Sequence, residues 1–424
     1  MTRSAAAQAS TAAGQLSPAA TTRGSAVDQR LSLVGETRAG LRPRPGFERL
    51  LLLTTVRWFS DARLAHSLVQ AGFSVSACRP RGHVLELVDG LEVERSLSRL
   101  SPERSLVRAI REARPDVVVP GDEGALTLLR RVRRSAGLAP ELAAVVERSL
   151  GDEGKAASSR AAVVEAALRA GVSAPDTRVI ADENALRAWA DGRATPIVLK
   201  TDGSWGGRGV AIVRDRADLA RAWRAVSRPP GPARAIKRLL VDSDGHSLSM
   251  CVRRARPVVN AQEFLDGREA ITTVACVDGE VLATLCLEVV RASEAKGPAA
   301  VVRVVEHAGM SEAVRLLVRS LGLSGFCGFD FMLTNDGRAQ LLELNPRGTP
   351  TCYLVVEGGW GHGETITLFP AEPWEDDGEC AACPVDVPVG APLLIDAGEE
   401  MVARKGRPAS RLLAALTKRF SPLP

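Results

Sequence analysis

The sequence predicts an α/β chain, with a doubly wound parallel sheet in its first third and a hairpin-rich α+β part after it. Three observations carry this expectation. Apolar runs alternate with helical segments between residues 50 and 120, a glycine-rich loop lies between two strands at residues 197–213, and a β-hairpin dense in oxygen side chains occupies Gly325 to Pro350, GFCGFDFMLTNDGRAQLLELNPRGTP. At 424 residues the chain is long enough for two or three domains with their own cores.

Residues 1–45 are rich in Ala, Ser, Thr, Gly and Arg without a sustained apolar period, which predicts a disordered leader. Leu50 to Val56 is a continuous apolar run suited to a parallel strand buried on both faces. Asp61 to Ala71 reads as a helix closed by Gly72, Phe73 to Cys78 as a strand, Pro102 to Ala113 as a helix and Asp116 to Pro120 as a third strand. The loop Pro120-Gly121-Asp122-Glu123-Gly124 leaves the carboxyl end of that strand, where open α/β sheets bind ligands. Asp122 and Glu123 equally suit the start of a helix, and the two roles are compatible.

A helix is expected from Ser158 to Ala170, and a strand from Ile197 to Lys200. Thr201-Asp202-Gly203-Ser204-Trp205-Gly206-Gly207-Arg208-Gly209 then runs into a strand from Val210 to Val213. Four glycines at 203, 206, 207 and 209 let backbone N–H groups approach phosphate oxygens, and Lys200 at the mouth adds a point charge. The chain has six Lys against 49 Arg (55 less 6), so a lysine at such a place reads as a chemical requirement. Ala217 to Val226 is helical, and Ser227 to Arg256 is a basic stretch, with a plain surface histidine expected at His246.

Val258 to Leu265 reads as a strand, Ile271 to Val277 and Val281 to Val289 as a hairpin across Asp278-Gly279-Glu280, and Ser311 to Leu321 as a helix closed by Gly322. Phe329 to Leu333 and Ala339 to Leu344 follow, joined by a turn whose Asn335-Asp336-Gly337 is a strong hairpin signal. On that hairpin Glu343 and Asn345 lie two apart on one face, with Asp330 on the partner strand. Three oxygen side chains with no sulfur or imidazole suit magnesium, and Arg347 stands two residues on, placed to meet an anion. Beyond Pro370 the tail is Pro-rich and ends in a basic helix near Ser410 to Lys418.

Composition excludes several classes. A formal charge of +5 with acids scattered among the bases leaves no nucleic-acid stripe, and 4% aromatics weakens base stacking further. No apolar run reaches membrane-spanning length and no signal peptide opens the chain, so a cytoplasmic protein is expected. The eight Cys fall mostly in apolar runs and read as buried thiols; the single C-x-x-C, Cys380 and Cys383, has no second pair and reads as incidental.

A basic residue on a helix, a strand Lys200 with its Gly-rich loop, the segment Gln262-Glu263-Phe264, and Asp330 followed by Glu343-Leu344-Asn345-Pro346-Arg347 together resemble the ATP-grasp superfamily, specifically its carboxylate-amine ligase-like members. The resemblance covers about Leu50 to Pro370. It implies a Rossmann-like pre-ATP-grasp domain at 46–150 and a two-lobed ATP-grasp domain at 151–370, with a lid lobe about 176–262 and a metal-binding lobe about 263–370. The tail 371–424 lies outside it.

The same resemblance implies that Lys200 contacts the ATP phosphates, that Gly203, Ser204, Gly206, Gly207 and Gly209 belong to the flexible lid, and that Glu263, Phe264 and Leu265 meet adenine. Glu269 matches the acid that holds the ribose. Asp330 and Glu343 would bind Mg2+, or Mn2+ in its place, with Glu343 bridging two ions and Asn345 holding the second. Arg347 would steady the acyl-phosphate or the substrate carboxylate. The family's first phosphate-binding lysine is replaced by Arg160, with Lys155 nearby as the alternative, and Lys200 to Glu263 spans more sequence than the family uses. Arg303 either reaches the substrate or is a surface arginine. The implied activity joins a small-molecule carboxylate to an amine through an acyl-phosphate, with no nucleic-acid or membrane partner; a homodimer is common in the family. A non-catalytic ATP-binding sensor, and a carboxylase or kinase on the same fold, are the rival readings.

Overall fold

The computed structural model describes residues 40–135, 137–151, 159–202, 209–228, 257–292 and 298–368. The leader up to residue 39, Lys155, the loop residues Gly203, Ser204, Gly206 and Gly207, His246 with most of the basic stretch, Cys380, Cys383 and the tail lie outside the described residues.

The first part is a parallel sheet of four strands in the order β3-β2-β1-β4, with β1 (Arg49–Leu53), β2 (Ser74–Arg79), β3 (Leu91–Ser96) and β4 (Val117–Pro120). Helices α1 (Ser60–Gln70), α2 (Pro102–Ala113), α3 (Glu123–Arg133) and α4 (Pro140–Leu150) cover it. The apolar run of β1 serves both faces: Leu50 and Leu52 enter one core with α1, while Leu51 and Leu53 enter another with α2, α3 and α4. That is why this strand lacks polar alternation. Strand β3, LEVERS, was not expected from sequence: as an edge strand it alternates half-buried with exposed residues and carries three charges.

A second sheet of four antiparallel strands has the order β5-β8-β6-β7, with β5 (Thr177–Ile180), β6 (Ile197–Thr201), β7 (Val210–Val213) and β8 (Val259–Glu263). Helices α6 (Glu183–Ala190) and α7 (Leu219–Val226) share its core, and α5 (Arg160–Arg169) precedes it in the chain.

The third sheet is antiparallel in every described pair and runs β13-β12-β9-β10-β11-β14, with β9 (Gly267–Val277), β10 (Glu280–Ala292), β11 (Ala299–Val304), β12 (Gly325–Thr334), β13 (Ala339–Asn345) and β14 (Thr365–Thr367). Asp278 and Gly279, both at positive φ, make the two-residue turn between β9 and β10. Helix α8 (Ala308–Leu321) and α5 pack on one face; the other meets α1 and α9 (Cys352–Glu357), so the first and third sheets share a core. Cys78, Cys276, Cys286, Cys327 and Cys352 are free and buried. No helix among the described residues is long and apolar enough to cross a membrane.

Candidate active site

The hairpin of β12 and β13 sets Asp330 directly opposite Glu343 and Gly328 opposite Asn345. The register shifts between Asp330 and Phe331, leaving Leu342 as the extra residue on β13. Strict alternation would put Leu341 on the same face as Glu343. The bulge instead sends Leu341 and Leu344 into the α8 core while Glu343 and Asn345 turn to the other side. Asn345 Nδ2 donates to Asp330 Oδ2 at 3.2 Å, and Arg347 Nη2 donates to Asn345 Oδ1 at 3.1 Å.

Helix α5 packs on β13 and brings Arg160, its first residue, to the hairpin. Arg160 Nη2 donates to Glu343 Oε1 at 2.9 Å, Nη1 donates to the Thr201 carbonyl and stands 3.8 Å from Asp202 Oδ1, and the backbone N–H reaches Asp202 Oδ1 at 3.3 Å. Asp202 also accepts from Asn260 Nδ2 at 2.8 Å. Asn260 is fully buried opposite Lys200 on the neighbouring strand. Burial pushes the Asp202 carboxyl up, against the hydrogen bonds from Arg160 and Asn260.

Lys200 feels the same cluster. Burial pulls its ammonium below the ordinary range and Arg160 adds to this, while Glu343, Asp330 and Glu269 oppose it. Asp330 is pushed up to about 7 by burial and by Glu343, with Lys200 and Arg347 pulling back. The donors at the hairpin are two carboxylates and an amide, all oxygen, crowded enough that one carboxylate strains to ionise. That set fits a hard divalent ion that takes its remaining ligands from water and phosphate. It is a sparse set: no three His, Cys, Asp or Glu side chains among the described residues stand together as a metal cluster.

Lys200, Arg160, Glu269, Asp330, Glu343, Asn345 and Arg347 thus meet at one place. Glu269 lies two residues along β9 from Ile271, the partner of Asp330, and is exposed. Gly209 closes the base of the loop, its carbonyl accepting from the Thr201 N–H at 3.0 Å. Glu263 ends β8 opposite Ile197, at the other end of the β6 pairing from Lys200, and Phe264 and Leu265 continue from it toward β9. Arg303 does not join the site. It pairs with Glu288, which pairs with Ala270, which pairs with the core residue Phe331, and this places it on the face opposite Asp330.

The first sheet brings the expected Pro120 to Gly124 loop to the site and adds Asp61, which the sequence reading missed. Gly348 N–H donates to the Pro120 carbonyl at 2.8 Å, which lays the loop after β13 against the carboxyl end of β4. Arg347 Nε, buried and without a hydrogen bond, stands 3.6 Å from Glu123 Oε2. Asp61, on the buried face of α1, is only 4% exposed, and burial with help from Asp122 pushes it up to about 7 against Thr54 and Arg347. A carboxylate in register with Leu64, Ala65 and Leu68 on an apolar helix face was the available signal for Asp61. For Asn260 it was the rarity of Asn, which occurs four times in the chain.

Residues 157–351 match the family described as the ATP-grasp domain. No curated protein matches the chain in sequence. Among solved structures, an N5-carboxyaminoimidazole ribonucleotide synthetase in complex with ADP aligns with a TM-score of 0.51 at 15% identity, covering 78% of this chain and 81% of that chain. The Staphylococcus aureus N5-carboxyaminoimidazole synthetase with ADP aligns at 0.50 and 13% identity over 78% and 81% of the two chains. The Aspergillus clavatus N5-carboxyaminoimidazole synthase with ADP and 5-aminoimidazole ribonucleotide gives 0.50 and 16% over 74% and 76%. At these identities the likeness is one of fold.

Proposed function

From the match of residues 157–351 to the ATP-grasp domain, we propose that this chain is an ATP-dependent ligase that joins a carboxylate to an amine and releases ADP and phosphate. The observation that carries the proposal is the meeting of Lys200 and Arg160 with the Asp330, Glu343 and Asn345 set, beside Arg347. Phosphoryl transfer asks mainly for positioning and charge neutralisation, and these residues supply both.

Asp330, Glu343 and Asn345 would hold Mg2+, or Mn2+ in its place, and the bound ion would neutralise the transferring phosphoryl group. Lys200 and Arg160 bind the nucleotide phosphates. Arg160 is held at the root of the glycine loop by Thr201 and Asp202, so its charge is aimed before the nucleotide arrives. Glu263, Phe264 and Leu265 meet adenine and Glu269 the ribose, while Gly203, Ser204, Gly206, Gly207 and Gly209 cover the phosphates. Arg347 steadies the carboxylate and then the acyl-phosphate, which the amine attacks with loss of phosphate.

The test is magnesium-dependent release of ADP and phosphate against pools of small carboxylates, with and without added amines. Release stimulated by one carboxylate pool and raised by an amine supports the ligase. Stimulation by bicarbonate alone points to a carboxylase, AMP in place of ADP sinks the acyl-phosphate mechanism, and tight ATP binding without any turnover favours a sensor.

A further inference from the structure

In an open sheet of order β3-β2-β1-β4 the chain reverses direction of travel between β1 and β4, and the crevice outside their carboxyl ends is where such sheets take ligands, often through phosphate. Here that crevice is built as an anion cradle and is already filled. Thr55 N–H lies 2.6 Å and Val56 N–H 3.3 Å from Asp122 Oδ2, and Ala125 N–H, in the first turn of α3, lies 2.9 Å from Oδ1. The Thr55 hydroxyl donates to Oδ1 at 2.5 Å, and the Thr54 hydroxyl, shared with the Val56 carbonyl, stands 2.9 Å from Oδ2. Three backbone N–H groups and two hydroxyls therefore converge on one carboxylate, the donor set that an anionic oxygen group would otherwise use.

The glycines of the loop are fitted to this arrangement. A Cβ on Gly124 would stand 2.2 Å from Thr55 Oγ1 and 3.0 Å from Asp122 Oδ1, so the helix start approaches the β1 loop only because that residue lacks a side chain. A Cβ on Gly121 would stand 2.3 Å from Asp61 Oδ1, so a second carboxylate lies against the same loop. Asp61 Oδ2 is buried with no hydrogen-bond partner, and Glu123 follows on the helix. The fixed cations nearby are Arg347 and Arg130, each within 4.0 Å of Glu123.

We propose that Asp122 is the built-in occupant of the anion cradle of the first sheet, and that the amine substrate therefore carries no phosphate where it meets this crevice and is neutral or cationic there. A phosphorylated amine would have to displace a carboxylate that satisfies five donors, and would do so beside Asp61 and Glu123. An ammonium or a plain amine leaves Asp122 in place and meets the Asp61 and Glu123 carboxyls, while Arg347 and Arg130 are engaged with Glu123. The substrate side of this inference rests on the ligase reading; the filled cradle does not.

The experiment follows the Val56 and Thr55 amides by NMR in protein labelled at Val and Thr, during titration with inorganic phosphate and without nucleotide. Expected is no phosphate-dependent shift of these amides in the wild type and a clear one in Asp122→Ser. Asp122→Gly, which still caps a helix, serves if the serine variant does not fold. A shift in the wild type overturns the proposal, and so does silence in a folded variant, since the donors would then not form an anion cradle. Because ATP is absent, failure of the ligase reading leaves these outcomes intact. In turnover, a phosphorylated amine that stimulates ADP release where its dephosphorylated counterpart does not would also overturn the proposal.

Discussion

The substitution Asp61→Asn should gain stability relative to wild type as the pH rises from acid to mildly alkaline. The Asp61 side chain is 4% exposed, and its carboxyl is raised from 3.8 to about 7, chiefly by burial and then by Asp122. A carboxyl raised on folding binds its proton more tightly in the native state, so its contribution is fully present below the unfolded value near 4. That contribution is lost as pH rises through about 7. About three pKa units at 1.36 kcal/mol each set a ceiling of about 4 kcal/mol. The amide that replaces the carboxyl has nearly the same shape and does not titrate, so the stability difference between variant and wild type should move in favour of the variant between about pH 4 and pH 8. Asp330 is raised in the same direction, but it titrates in both proteins and cancels in the difference. The assay is urea unfolding of both proteins across that range, and a stability difference that stays constant with pH would refute the argument.

Glu343→Gln should cut magnesium-dependent ATP turnover by at least about a hundredfold while leaving the fold intact by circular dichroism; unchanged turnover would end the metal assignment. Arg160→Lys keeps the charge but not the fork that reaches Thr201, Asp202 and Glu343 together, and should raise the KM for ATP about tenfold, the worth of roughly one charged hydrogen bond; an unchanged KM would mean Arg160 does not touch the nucleotide. Gly121→Ala should cost about 1–3 kcal/mol by forcing a methyl onto the Asp61 carboxylate, and most of that cost should vanish in an Asp61→Ala background, as a double-mutant cycle would report. Asn260→Ala should cost about 1–3 kcal/mol in thermal or urea unfolding because it strips a buried partner from Asp202.

Elements whose physics is local were legible in the chain alone. The run Leu50 to Leu53 has one reading, a strand buried on both faces, because no polar residue interrupts it. Asp278-Gly279 and Asn335-Asp336-Gly337 fix their hairpins because turns at positive φ admit few residues, and the second hairpin in turn places Asp330 opposite Glu343. Lys200 and the Glu343 to Arg347 run stood out because a rare residue type, or several polar ones among apolar neighbours, is visible without any fold.

Contacts distant in sequence settled the rest. The bulge at Leu342 is invisible in a pattern of alternating residues, yet it lets Glu343 face the site while Leu341 fills the core. Arg160 reads as a departure from a lysine motif until α5 packs on β13 and brings its guanidinium to Glu343, 183 residues away. Glu123 gains Arg347 as a partner only when the loop of Arg347 and Gly348 lies on the first sheet, and Asp61 and Asp122 gain their surroundings only when the loop after β1 meets the start of α3, since a carboxylate's partners and its burial are set by the packed chain.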